Sequence, residues 1–195
     1  MPPFKYLKVK QSIENMSKRT FIFLLIIIFG GVAIYFAIPK QDKVISLSVN
    51  SFKECVSAGY AVAESYPRQC RTLNGEIFIE NIGNELEKLD LIRTNVPRPN
   101  QIIQSPLVIK GEARGSWFFE GDFPIVLVNW DGLIIAEGIA QAKGEWMTED
   151  FVSFEAEIEF EKPIIKNNGY LIFRKDNPSG LPEHDDALEI PIFFE

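Results

Sequence analysis

The sequence predicts an all-β domain in the C-terminal half of a chain whose N-terminal part carries a membrane segment. From about residue 105 onward, apolar and polar residues alternate, and turn-forming Asp-Gly and Asn-Gly pairs separate the alternating stretches. The one long uninterrupted apolar run lies near the N-terminus. We therefore expect five parts: a basic cytoplasmic tail (1–19), a transmembrane helix (20–38), a two-cysteine module (50–82), a linker (83–104) and an antiparallel β-sandwich (105–195).

The apolar run, TFIFLLIIIFGGVAIYFAI, covers residues 20–38 and contains no charged residue. As a helix rising about 1.5 Å per residue, it would cross nearly all of a hydrocarbon core about 30 Å thick. A cleavable signal peptide would have a shorter apolar core and a small-x-small site, whereas bulky Ile34, Tyr35 and Phe36 stand near the end of this run. We therefore expect an uncleaved single-pass anchor in the cytoplasmic membrane, in contact with its lipids.

Charge predicts the orientation of this anchor. Residues 1–19 carry five basic residues against Glu14, a net charge of +4. Since the whole chain has a net charge of −7, the remaining residues must carry −11. The positive-inside rule places the N-terminus in the cytoplasm and the C-terminal domain outside the membrane. An acidic body is repelled by phosphate backbones, so we expect no nucleic-acid partner.

The two cysteines, Cys55 and Cys70, both follow the predicted anchor. An even number of cysteines in an exported region favours a disulfide. A redox pair or a metal site fits less well, because fourteen residues separate the cysteines and no histidine is close in sequence. Asn74-Gly75 predicts a two-residue hairpin with positive φ at both positions. The stretch also resembles a short cysteine module of bacterial envelope proteins, which implies no activity.

The segment after the module is rich in proline and charge. Pro97, Pro99 and Pro106 fix φ and remove backbone donors, which favours an extended connector over a packed element. We expect a short helical turn within residues 85–92 and a domain boundary near residue 100.

The strongest strand signal is FVSFEAEIEF, in which five apolar residues from Val152 to Phe160 alternate with Ser153 and three glutamates. PIVLVNWDGLIIAEGIA predicts two strands joined at Asp131-Gly132. LVIKGEA and YLIF add two more, the latter after an Asn168-Gly169 turn signal, and Pro191 marks the last strand as an edge. Six or seven short strands in this length predict an immunoglobulin-like sandwich.

Residues 101–195 resemble the immunoglobulin-like domain of bacterial spore germination. The resemblance lies in SPLVIKGEARGSWFFEGDFPIVL, IAEGIAQAKGEWMTEDFVSFEAEIEF and RKDNPSGLPEHDDALEIPI, which occur in the family's order. It implies a sandwich fold in a cell-envelope protein and brings no catalytic motif. The companion domain common in spore-formers is replaced here by the cysteine module, so a germination role does not follow directly.

Acidic residues near the C-terminus offer hard oxygen ligands for calcium. The spacing is not that of an EF-hand, and Asn177-Pro178-Ser179-Gly180 is typical of a tight turn. His184, the only histidine, has no nucleophile-elbow serine near it, so we predict no catalytic site and no cofactor. The candidate calcium ligands are Asp176, Asn177, Glu183, Asp185 and Asp186.

Aromatic residues around glycine-rich bends are the candidate binding surface. Consecutive Trp117, Phe118 and Phe119 cannot all face one side of a strand, so one or two of them should be exposed unless they seal the ends of the sandwich. The candidate surface comprises Trp117, Phe118, Phe119, Phe123 and Trp146. We expect a non-catalytic binding or scaffold domain whose partner is an envelope protein or, alternatively, peptidoglycan or another cell-wall glycan.

Overall fold

The computed structural model of this protein describes residues 48–195, so the predicted basic tail and transmembrane helix lie outside the described residues. Within that range the chain forms two short helices, eleven strands and two 3-10 turns. The helices are α1 (Phe52–Ser57) and α2 (Glu85–Lys88), and the 3-10 turns are Gly115–Trp117 and Pro182–His184. The strands are β1 (Ala61–Ala63), β2 (Gln69–Arg71), β3 (Ile77–Ile79), β4 (Ile92–Val96), β5 (Ile102–Ile103), β6 (Leu107–Arg114), β7 (Asp122–Asn129), β8 (Ile134–Ala142), β9 (Phe151–Ile158), β10 (Asn168–Arg174) and β11 (Ala187–Phe194).

The N-terminal module consists of α1 and a three-stranded sheet in the order β1-β2-β3. Helix α1 begins after Ser51, whose side-chain oxygen accepts a hydrogen bond from the Glu54 backbone amide, and the Glu54 carboxylate in turn accepts one from the Asn50 amide. The bond to Ser51 satisfies a donor that the first helical turn leaves unpaired, and the bond from Asn50 fixes the backbone just before the cap. This is the local reason why so short a helix begins at Phe52.

The main element is an eight-stranded sheet in the order β4-β6-β9-β8-β7-β10-β11-β5. Neighbouring strands are antiparallel except for β11 and β5, which pair in parallel through Phe193 and Phe194. The join between β8 and β9 is narrow, because only Gln141 and Ala142 pair with β9. The protein is thus predominantly β, with one curled, antiparallel-rich sheet.

The sheet curls around a single core. Phe154 of β9 contacts Phe123 of β7 edge-on, at 4.9 Å between ring centroids, and Phe173 of β10 at 6.0 Å. These strands are not adjacent to β9 in the sheet order, so the two halves of the sheet must face each other for the rings to meet. At Gly138 an added Cβ would lie 2.4 Å from Ile158, so β8 approaches β9 closely at this position.

The predicted alternation is confirmed in the strand with the clearest pattern. In β9, Val152, Phe154, Ala156 and Ile158 are buried, and Phe160 just beyond the strand packs against the same core. β6 shows the same regular alternation of buried and more exposed residues. A period of two places every second residue on the inner face of a strand, which is why this part of the fold could be predicted.

Both predicted hairpins form, but their turns are of a different type from the predicted two-residue turn. In the hairpin between β2 and β3, the Gly75 amide donates to the Thr72 carbonyl and only Gly75, at φ +90°, has positive φ. Gly132, at φ +79°, has the same role between β7 and β8. Three-residue loops of this kind need one glycine in the left-handed region, so the expectation of positive φ at Asn74 is wrong.

The structure also corrects the prediction that residues 83–104 form a linker, because this segment forms α2 and the edge strands β4 and β5. Ile92 and Thr94 of β4 are fully buried against β6, and Ile103 of β5 is buried beside β11. The prolines flank these strands instead of interrupting them: Pro97 follows β4 and Pro106 precedes β6. A proline at a strand boundary removes no ladder hydrogen bond, so the segment can pair despite its composition.

The prediction that β11 is an edge strand is wrong, because β5 pairs with its C-terminal end through Phe193 and Phe194. Within residues 48–195, no strand pairs with the outer side of β11 at Pro191. The Pro191 carbonyl accepts a hydrogen bond from the Asn100 amide, so the proline nitrogen faces the outer side and no bond to β10 is lost. Asn84 covers the same side, because its amide side chain donates to the Ala187 carbonyl and accepts from the Glu189 amide. Asn168 and Gly169 form no turn, since both belong to β10.

Neither helix within residues 48–195 is long and apolar enough to cross a membrane.

Candidate functional site

The loops of the curled sheet collect at two ends. In the register of β7, β10 and β11, Asn129 pairs with Gly169 and Asn168 pairs with Phe193, so these residues form a row at what we call the near end. The loops 130–133 and 159–167 lie just beyond this row. The opposite end, called the far end, carries the loops 115–121, 143–150 and 175–186.

The described part of the chain starts beside the near end. The ammonium group of Lys53, in α1, lies 5.9 Å from the centroid of the Phe193 ring. Helix α1 begins only four residues after Ser48, so the first described residues lie close to the near-end row. The far end is therefore the end remote from the point where the chain reaches this fold.

Three of the five aromatic residues of the candidate binding surface lie in the core. Trp117, Phe118 and Phe123 are at most 5% exposed, and the Phe118 and Phe123 rings pack at 5.3 Å between centroids. The buried indole nitrogen of Trp117 has no hydrogen-bond partner within the described residues. The 3-10 turn at Gly115–Trp117 directs the Trp117 side chain inward. All three residues pack in the core of the curled sheet and cannot form part of an exposed surface.

The other two aromatic residues stay accessible at the far end. Phe119 is 42% exposed, and Trp146 is partly buried with its indole packed against the backbone at Gly121. Met147, beside Trp146, is 73% exposed. Phe119, Trp146 and Met147 are referred to below as the far-end surface.

A second apolar surface lies at the near end and was not among the predicted sites. Trp130 and Leu133 from the β7–β8 hairpin face Ile164 and Ile165 from the loop between β9 and β10, around a groove of about 470 Å³. Ile164 is fully exposed, and Ile165 and Leu133 are 78% and 64% exposed. These four residues are called the near-end patch. The only indication in the sequence was the KPIIK motif at residues 162–166, in which two isoleucines stand between lysines.

The loop that carries Ile164 and Ile165 is fixed at both ends. At its start, the Phe160 amide donates to the Ser105 hydroxyl oxygen at 3.0 Å, and the Phe160 ring packs against Phe194 at 5.5 Å. At its end, the Asn167 carbonyl accepts from the Phe194 amide at 2.7 Å. The two isoleucines are thus presented to solvent by an anchored loop.

The predicted disulfide between Cys55 and Cys70 is confirmed. It joins α1 to β2 with 6.1 Å between the Cα atoms, and both residues are fully buried. A buried disulfide is shielded from thiolates, which attack exposed disulfides most readily. Its position indicates that the disulfide stabilises the module.

A buried carboxylate connects the module to the sheet. Glu85 is fully buried; its Oε2 atom accepts a hydrogen bond from the Tyr66 hydroxyl, and Arg98 Nη1 lies 2.8 Å from its Oε1 atom. This second contact is close enough for an ion pair but lacks the alignment of a hydrogen bond. Burial raises the pKa of Glu85, and the charge of Arg98 opposes that shift. The group is held between Tyr66 of the module and Arg98 of the segment after β4.

A second polar cluster joins the same parts. Arg68 donates two hydrogen bonds to the Glu80 carboxylate, at 2.8 and 2.5 Å, and the Asn100 side chain donates a third at 3.3 Å. The bonds from Arg68 lower the pKa of Glu80. Two charged residues of the predicted linker therefore contact the module, because Glu85 and Arg98 both form hydrogen bonds with the Tyr66 hydroxyl.

The acid-rich segment near the C-terminus forms the predicted turn. The Gly180 amide donates to the Asn177 carbonyl, and the Asn177 side chain donates at 2.8 Å to both the Leu181 carbonyl and Asp185 Oδ1. Asp186 pairs with Lys88. Asp176 and Glu183 complete the candidate set, yet no three acidic, histidine or cysteine side chains within residues 48–195 are placed to hold a metal ion. His184 and Ser179 are both exposed in this loop.

A comparison with protein families finds a match in the C-terminal half of the chain. Residues 91–180, just under half of the chain, match the family model Gmad2, described as the immunoglobulin-like domain of bacterial spore germination. The C-terminal half is therefore similar to this immunoglobulin-like domain. No curated protein matches the chain, and no solved structure does.

The matched region begins just before β4 and ends within the far-end loop that precedes β11. The match therefore includes the edge strand β4, which sequence reasoning had assigned to a linker. Both the far-end surface and the near-end patch lie within the immunoglobulin-like domain, whereas the disulfide-tied module lies outside the matched residues.

Proposed function

We propose that this chain is a membrane-anchored cell-envelope protein that presents an immunoglobulin-like sandwich outside the cytoplasmic membrane as a non-catalytic binding or scaffold module. The observation that carries the proposal is the far-end surface, where Phe119, Met147 and part of Trp146 are accessible at the end remote from the start of the fold. Exposed aromatic and methionine side chains on anchored loops are common at binding surfaces. Both cysteines form the buried disulfide, and His184 lies in an exposed turn.

The proposed partner at the far-end surface is another protein of the envelope. A photo-activatable cross-linking residue at position 119 or 147 should trap one defined adduct in cells. The same residue at position 73 should trap none, because Leu73 is 91% exposed but lies in the module hairpin. Trp146→Ala should weaken the adduct, whereas Trp130→Ala, a matched change at the near end, should leave it intact. Absence of any specific adduct at positions 119 and 147 would contradict the proposed partner.

The anchor and its orientation are tested separately. Alkaline phosphatase fused after Glu195 should be active, because the domain is proposed to lie outside the membrane, where the enzyme can form its disulfides. Green fluorescent protein at the same position serves as the opposite reporter and should stay dark after export. An inactive phosphatase together with a fluorescent reporter would overturn the proposed orientation.

A second candidate is a glycan-binding module of the cell wall. Two accessible aromatic residues on far-end loops, Trp146 and Phe119, favour it, since aromatic faces bind sugars as well as proteins. Purified peptidoglycan should then co-sediment the protein, and Trp146→Ala should release it. A protein that stays in the supernatant would exclude this function.

A structural role related to spore germination is the third candidate and is supported only by the family match.

A further inference from the structure

The near-end patch is an apolar surface without a role in the proposed partner binding. Trp130, Leu133, Ile164 and Ile165 come together from two loops, and Ile164 is fully exposed. Single exposed apolar residues are ordinary on protein surfaces, but a contiguous group on adjoining loops marks a contact with protein or membrane. The loop with the two isoleucines is fixed through Phe160 and Asn167, so the patch is presented and not collapsed onto the core.

The position of the patch favours one occupant. The first described residues lie beside the near end, through the contact of Lys53 with Phe193. Only residues 39–47 separate the predicted span from Ser48. Even fully extended, these nine residues reach no more than about 32 Å. The near end is thus the part of the fold that the predicted anchor holds close to the bilayer.

The charges around the patch fit a lipid surface better than a charged macromolecule. The Lys166 ammonium group lies 4.0 Å from the Trp130 ring, and Lys162 lines the groove beside Glu161. The same two loops also contain Asp131 and Glu159, so their three acidic residues nearly balance their two lysines. Tryptophan with flanking lysines is typical of the interface between headgroups and acyl chains, where the apolar part is buried and the ammonium group stays in water.

We infer that the near-end patch inserts into the outer surface of the membrane that carries the predicted span. This inference rests on the proposed anchor. Trp130, Leu133, Ile164 and Ile165 enter the boundary between headgroups and acyl chains, and Lys162 and Lys166 remain at headgroup level. The contact holds the sandwich upright, so that the far-end surface points away from the membrane. Because the charges nearly balance, the contact depends on apolar burial and should persist at high salt.

The test uses the full chain reconstituted in vesicles of phosphatidylcholine and phosphatidylglycerol. Ile164→Cys introduces one reactive thiol, because Cys55 and Cys70 are buried in their disulfide and are the only cysteines of the sequence. The thiol is labelled with an environment-sensitive fluorophore, and lipids with a spin label on the acyl chain serve as the quencher. Leu181→Cys is the matched control, since Leu181 is also an exposed apolar loop residue but lies at the far end.

We expect strong quenching and a blue-shifted emission at position 164, and neither at position 181, in low and in high salt. If the protein floats with the vesicles but the label at position 164 is not quenched, the inference is wrong and the proposed anchor still holds. A protein that does not float with the vesicles would overturn the anchor and the inference together. A cross-link from position 164 to a protein in cells, without quenching in pure lipid vesicles, would assign the patch to a protein partner and also overturn the inference.

Native fluorescence gives a second measurement without a label. Brominated lipids should quench part of the tryptophan emission of the unmodified chain, and Trp130→Phe should remove most of that quenching. Trp146→Phe, the same change at the far end, should leave the quenched fraction unchanged. Equal effects of the two substitutions would contradict the insertion of the near-end patch.

Discussion

At the scale of single residues, Glu85 is the group whose surroundings most alter its chemistry. It is fully buried between Tyr66 and Arg98, and burial raises its pKa. The folded protein therefore binds this proton more firmly than the unfolded chain does. The resulting contribution to the free energy of unfolding is fully present below the ordinary pKa of 4.5 and is lost as pH rises through the folded pKa.

The first prediction concerns this pH dependence. Glu85→Gln cannot titrate, so the free energy of unfolding of the original protein minus that of the variant should decrease as pH rises above 4.5. Urea denaturation at a series of pH values measures it. Glu80→Gln is the matched control with the opposite sign. The pKa of Glu80 is lowered, so its contribution is present above 4.5 and is lost as pH falls through the folded pKa. A difference for Glu85→Gln that stays constant with pH would contradict this assignment.

The second prediction concerns the partner of Glu85. Arg98→Met leaves the buried carboxylate without its counter-charge, and removal of one partner from a buried pair typically costs about 3–5 kcal/mol. The Arg98 side chain is 48% exposed, so solvent screens the pair and we expect a loss nearer about 2 kcal/mol. Arg71→Met, at an exposed position of β2, should change the free energy of unfolding by less than about 0.5 kcal/mol. Equal losses for the two variants, measured by urea denaturation, would be inconsistent with this role of Arg98.

At the scale of elements, the module of α1 and β1–β3 depends on its disulfide because its strands have only three residues each. Cys55 and Cys70 close a loop of sequence separation 15, for which the chain-entropy estimate is about 3 kcal/mol. The buried side chains of the module are few, so little other packing can replace the cross-link.

The third prediction follows from this dependence. Cys55→Ala should lower the free energy of unfolding by about 3 kcal/mol, or less if the module unfolds separately from the sheet. Cys70→Ala should have an equal effect, and the double variant should lose little more than either single variant, because all three remove the same bond. Additive losses from the two single variants, measured by calorimetry without reductant, would show that the cysteines contribute independently.

At the scale of the whole molecule, one core connects the two halves of the curled sheet. Phe154 is its centre, since this ring contacts Phe123 and Phe173 on the opposite half. The fourth prediction is that Phe154→Ala lowers the free energy of unfolding by about 3–5 kcal/mol, the usual range for a buried phenylalanine. Phe119→Ala, at a 42% exposed ring, should cost less than about 1 kcal/mol. Chemical denaturation of both variants measures the contrast, and similar losses would contradict the position of the core.

The sequence predicted those features that depend on local pattern. The alternation in β9 and the two glycine-dependent hairpins follow from neighbouring residues, and the disulfide follows from the presence of two cysteines after the predicted anchor. The pairing of residues 92–96 with β6 could not be predicted, because it depends on partners distant in sequence and the nearby prolines indicated a linker. The burial of Trp117 depends on a single 3-10 turn, and the near-end patch forms only when two loops meet, so neither has a periodic signal.

The hydrogen bonds that Asn84 and Asn100 form along β11 have a consequence for crowding. At high local protein density, an open strand would invite growth of one sheet into the next molecule. Asn84 occupies the Glu189 amide and the Ala187 carbonyl, and Asn100 occupies the Pro191 carbonyl, so this border offers few groups for such templating. Neighbouring copies can thus stand side by side without polymerising through β11.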